Sequence, residues 1–65
     1  MKNSNIAKRI KIIRVRKGIT QEDLYESTGI NIARIERGES SPTIKTLEKI
    51  CDYLDIPISD LFRLH

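Results

Sequence analysis

The tightest constraint on this chain lies between Thr20 and Gly38, in the run TQEDLYESTGINIARIERG. Gln21 to about Ser27 is polar outside with Leu24 inside, Gly29 breaks the pattern, and Ile32, Ile35 and Glu36 restart a helical spacing. The run predicts two short helices meeting across a tight turn, with Leu24, Ile32 and Ile35 as the residues that hold them to the rest of the chain.

Sixty-five residues allow one domain, 1–65, in a size range where folding hides only about 60% of the unfolded surface. Such a core is marginal by itself, so helix idealisation or a partner subunit must contribute. No apolar run reaches the roughly 20 residues of a membrane span, and the start at Met1 to Asn5 has no signal-peptide core. The expectation is a cytoplasmic protein without a membrane partner. A single cysteine excludes an internal disulfide framework and agrees with a reducing compartment.

Net charge is only +3, but its placement is uneven. Lys2, Lys8, Arg9, Lys11, Arg14, Arg16 and Lys17 all precede the first acid, Glu22. A one-sided cationic segment is what a protein approaching phosphate carries. On charge alone, a basic helix face that keeps a small protein in solution explains it equally well.

Ile6, Ile10 and Ile13 form one apolar stripe on a first helix from about Asn5 to Lys17. Asn3, Ser4 or Asn5 can cap its start and Gly18 ends it. Ile12 and Val15 lie on the opposite side, as ordinary exposed apolar residues or as a contact for the C-terminal tail or a second subunit. Thr20 is a good N-cap for the second helix, with Glu22 and Asp23 at its positive end. Thr43 caps a fourth helix to about Asp55, with Ile44, Leu47, Ile50, Cys51 and Leu54 as its buried stripe and Tyr53 as a partly exposed cover. Pro57 starts a fifth, about Ile58 to Arg63. Cys51 reads as a packed thiol, since no second cysteine or nearby histidine offers metal or nucleophile geometry. His65 reads as a frayed end.

Two helices joined by a Gly-containing turn make the helix-turn-helix unit, here about 20–37, whose second helix enters the DNA major groove. With Thr28 or Asn31 as cap and Ile32 and Ile35 inward, Asn31, Ala33 and Arg34 face the groove and Arg37 stands at its edge. Arg34 is the strongest candidate base reader, because its fork takes guanine O6 and N7 together. Asn31 can pair with adenine, in competition with capping, and Ala33 offers a methyl contact to thymine. Candidate phosphate contacts are Thr20, Arg37, Ser40, Lys8 and Lys11.

TQEDL before the turn, RIERG after it and SPTIKTLEKICDYLDIPISDLF downstream resemble the lambda-repressor and Cro-like (XRE) helix-turn-helix family, from about Ile6 to Phe62. The resemblance implies an all-α, compact five-helix DNA-binding domain. It also implies that Gln21 hydrogen-bonds a phosphate, and that Arg14 forms a structural ion pair with Glu36. Part of the apolar set Ile58, Leu61, Phe62 and Leu64 must cover the core. By the same resemblance these residues supply a two-fold dimer contact with the remainder, setting recognition helices about 34–36 Å apart. Two departures stand out. Gly29 to Gly38 is nine positions, about one helical turn shorter than the family pattern. Tyr25 stands where relatives carry a small alanine, and the expectation is that its ring fills the space of the missing turn. The loop Gly38 to Thr43 carries Glu39 and serines where many relatives carry basic phosphate contacts.

These readings converge on a sequence-specific DNA-binding transcriptional regulator, a repressor or autoregulator acting as a homodimer on double-stranded DNA. No cofactor, metal or small-molecule ligand is expected. The alternative is a docking module on the same fold with weak or no DNA binding. An enzyme has little support, for want of a histidine beside a nucleophile, a phosphate-binding glycine loop or a paired-acid cleft.

Overall fold

Capping chemistry sets the helix limits in the computed structural model, which describes residues 4–62 and, of Ser4, the backbone alone. Four α-helices, α1 (Ser4–Arg16), α2 (Gln21–Thr28), α3 (Ile32–Glu36) and α4 (Ile44–Leu54), lead into a 3-10 turn over Ile58–Phe62. No strand occurs among the described residues, so the fold is all-α. The expected fifth α-helix is this tighter turn, Pro57 accepting at 3.0 Å from the Asp60 N–H three residues on.

Thr20 and Asp23 form a reciprocal capping box at the start of α2. The Thr20 hydroxyl accepts from the Asp23 N–H at 2.9 Å and the Asp23 carboxylate accepts from the Thr20 N–H at 3.3 Å. Thr43 does the same one-sidedly for α4, accepting from the Thr46 N–H at 3.1 Å. The helix closes at Asp55, which takes the left-handed conformation at φ 60°. A non-glycine residue there costs about 1–2 kcal/mol. The following Ile56 N–H returns to the Cys51 carbonyl at 3.0 Å, and its side chain packs on the core.

α1 lies against α3 and the 3-10 turn, α2 against α3 and α4, and α4 against the 3-10 turn. The core they enclose takes Ile10 and Ile13 from α1, Leu24 from α2, Ile32 and Ile35 from α3, and Leu47, Ile50, Cys51 and Leu54 from α4. Truncating a fully buried leucine such as Leu24 to alanine costs about 2–5 kcal/mol.

Three expectations are corrected here. Leu61 is a core residue, 2% exposed, and so is withdrawn from the dimer surface. Ile44, at the first position of α4, is 59% exposed: its spacing aligns it with the stripe, but it sits beyond the reach of the packed elements. Tyr25 is 55% exposed. Its ring does not fill the room left by the shortened α3. Of the other expected dimer residues, Ile58 packs partly on the core and Phe62 is half-exposed, while Leu64 lies outside the described residues.

Candidate nucleic-acid interface

The link between α2 and α3 is built from short-range hydrogen bonds. Thr28 donates its hydroxyl to the Leu24 carbonyl at 2.7 Å and accepts from the Ile30 N–H at 3.1 Å. Gly29, at φ 76°, turns the chain and donates its N–H to Tyr25 at 2.7 Å. A Cβ there would touch nothing within 4 Å, so the demand for glycine comes from the backbone angle alone. Asn31 then caps α3, its side-chain oxygen accepting from the Arg34 N–H at a long 3.4 Å. Capping and a bidentate contact to adenine therefore share that one oxygen.

Along α3, Ile32 and Ile35 are buried, Ala33 is partly covered and Arg34 is exposed. The helix ends in a Schellman motif. Gly38, at φ 78°, donates to the Ile35 carbonyl at 3.0 Å, and Glu39 donates to the Arg34 carbonyl at 2.9 Å. That motif fixes Glu39 directly over the last turn of α3.

Behind α3 sits a buried charge network. Arg14 Nε donates to Glu36 Oε2 at 2.7 Å and Nη2 to Oε1 at 3.0 Å, while Nη1 donates to the Ile19 carbonyl at 2.7 Å. The two side chains are 8% and 4% exposed. Gln21 adds its amide to Glu36 Oε1 at 2.9 Å. The Gln21 amide, expected at a phosphate, is thus engaged at the brace, and one residue from each of α1, α2 and α3 meets there. No described buried side-chain nitrogen or oxygen lacks a partner.

The front of α3 carries a second pair. Arg37 Nε donates to Glu39 Oε2 at 2.8 Å and Nη2 to Oε1 at 3.0 Å. Arg34 Nε lies 3.8 Å from the same carboxylate. The hydrogen bond from Arg37 is the main cause that holds the Glu39 carboxyl below the usual carboxylate range, and the same bond raises the Arg37 guanidinium. Arg37, expected as a phosphate contact, has its fork on Glu39.

The remaining candidates are dispersed. Thr20 is exposed with its oxygen in the capping box, Ser40 is partly buried, and Lys8 and Lys11 are exposed on α1. Two cations of the N-terminal segment turn inward: Arg14 into the brace, and Arg9, whose Nε donates to the Asp60 carbonyl at 2.9 Å. The Arg9 contact joins residues 51 positions apart, which no local pattern reveals. The Glu39 pairing escaped the sequence reading too, although its signal, an acid directly after the glycine of an Arg-x-x-Arg-Gly run, was visible. Burial, and then Asp52 and Asp60, push the Cys51 thiol up. Among the described residues no three His, Cys, Asp or Glu side chains converge on a metal position.

Residues 10–61 match the model of the helix-turn-helix family HTH_3. The chain is 42% identical over 53 residues to the HTH-type transcriptional regulator SutR of Escherichia coli, spanning 77% of this chain and 30% of that protein. It is 34% identical over 59 residues to the uncharacterized HTH-type transcriptional regulator YgzD of Bacillus subtilis, spanning 86% of this chain and 89% of that one. A crystal structure of an HTH_3 family transcriptional regulator from Vibrio cholerae superposes with a TM-score of 0.83 at 41% identity, over 92% of this chain and 35% of that chain. The chain therefore spans about a third of the length of the Escherichia coli and Vibrio cholerae proteins.

Proposed function

The chain belongs to the XRE-type helix-turn-helix family (HTH_3), and from that premise we propose that it is a sequence-specific DNA-binding transcriptional regulator. In this reading residues 1–65 act as one helix-turn-helix domain, in the cytoplasm, as a repressor or autoregulator. A homodimer places two copies of α3 on a pseudo-palindromic operator, about 34–36 Å apart. The regulators that resemble it by name support the class of function.

The observation that carries the proposal is the two-sided build of α3. Its apolar side is buried and its Glu36 is locked from behind, while Arg34 stands 56% exposed on the other side. A reading helix needs that combination, because a side chain must meet a base edge to within a fraction of an ångström. Arg34 takes guanine, Ala33 lies against a thymine methyl, and Asn31 adds a contact from its amide. Thr20, Ser40, Lys8, Lys11 and the second N–H of Gln21 supply phosphate contacts. Ile58 and Phe62 contribute to the subunit contact.

One observation favours a second reading. A five-residue α3 offers few base contacts, as a docking module on the same fold would. Salt separates the two. A reader making ~6 phosphate contacts per dimer gives a log-log slope of affinity against salt near −5. A docking module shows no duplex binding at about 50 mM salt, and that result overturns the proposal.

A further inference from the structure

We propose that Glu39 is a built-in substitute for a DNA phosphate: it occupies the Arg37 fork and leaves Arg34 available, so that the edge of α3 withholds a cation from the duplex backbone. The proposal rests on the DNA-binding reading and adds to it a residue that sets affinity.

The geometry is that of guanidinium recognition. An arginine fork presents Nε and one Nη in parallel, and a carboxylate or a phosphate fits that edge equally well. Glu39 takes this edge of Arg37 at 2.8 and 3.0 Å. A phosphate that takes this edge of Arg37 must displace the carboxylate, and one that takes the Nη1 end still sits close to its negative charge. The pairing is not a chance meeting of two long side chains. The Schellman bond from the Glu39 N–H to the Arg34 carbonyl, at 2.9 Å, seats the Glu39 backbone on the same turn that carries both arginines. The depressed Glu39 carboxyl agrees with the pairing.

The two arginines are held differently. Arg34 is 3.8 Å from Glu39 through Nε alone, so its fork is free to turn to a guanine. Arg37 is gripped at both ends of its edge. Glu39 thereby spares the base-reading cation and removes the neighbouring phosphate-seeking one. The chain gives up sequence-independent attraction beside the reading helix.

The test measures affinity for a random-sequence duplex across a salt series, using the full chain, Glu39→Gln, and Glu39→Gln combined with Arg37→Gln. Glu39 is half-exposed and no core contact depends on it. The single variant should bind on the order of tenfold more tightly at ~50 mM salt, with a log-log slope steeper by about 0.9 per subunit for the phosphate gained. The double variant should return to the wild-type slope. A merely structural role in the loop would leave the slope unmoved. If the wild type binds duplex and Glu39→Gln matches it in affinity and slope, the role of Glu39 is overturned while the DNA-binding reading stands. If only Glu39→Gln binds, the blocking of Arg37 by Glu39 is upheld while the reading of the wild type as a DNA binder is overturned. If neither binds, both readings fall together.

Discussion

Arg14–Glu36 and Arg37–Glu39 are the same chemical pair at nearly the same separation, 2.7 and 2.8 Å, one buried behind a short helix and one exposed at its C-terminal end. The first is almost fully buried, with both partners spoken for by Ile19 and Gln21 as well. The second is more than half exposed on the arginine and half on the glutamate. Burial decides what each pair is for. Behind the helix neither charge can be solvated if its partner leaves, so the pair dictates how α1, α2 and α3 meet. In front, water replaces either partner at little cost, so the pair contributes little to stability.

The largest effect should come from breaking the rear pair. Glu36→Ala strands the Arg14 cation in the interior and should cost about 3–5 kcal/mol, a large part of the stability of a chain this size. Urea unfolding of the variant reads it, and an unchanged midpoint would put both pairs in the same class. Next comes Gln21→Ala, which removes a single hydrogen bond to Glu36 and should cost about 1 kcal/mol by the same measurement. The smallest effect belongs to the front pair. Because Arg37 lowers the Glu39 carboxyl, the pair is intact above the ordinary glutamate range and is lost as pH falls through the lower, folded-state value. In Arg37→Gln the Glu39 carboxyl should titrate at higher pH by NMR, with no change in melting temperature near neutrality. A titration that does not move would mean that the front pair is not formed in solution.

The parts of the fold that were legible are those decided within a few residues. Thr20, Gly29 and Thr43 act through hydrogen bonds or backbone angles set by near neighbours, and they stand at the helix ends where local chemistry put them. Ile10, Ile13, Ile32 and Ile35 follow from spacing on a helix. Ile44 fits the same spacing and fails, because spacing gives a direction from the helix axis and not how far along it the neighbours extend. Leu61 was misassigned for a related reason. A terminal turn with several apolar residues must divide them between core and surface, and only the packing angle decides which goes inward. At the site, the Arg14–Glu36 contact was accessible through family resemblance, whereas Arg9 reaching the Asp60 carbonyl depends on tertiary placement alone.

Selection of bound sequences from random duplex DNA, run in parallel on the wild type and Arg34→Ala, bears most directly on whether the braced face of α3 is a reading surface. The wild type should enrich a two-fold-symmetric site with a guanine at one position of each half, and Arg34→Ala should enrich the same site with that position relaxed. Recovery of an identical site by both proteins, or no enrichment by the wild type, would contradict the account.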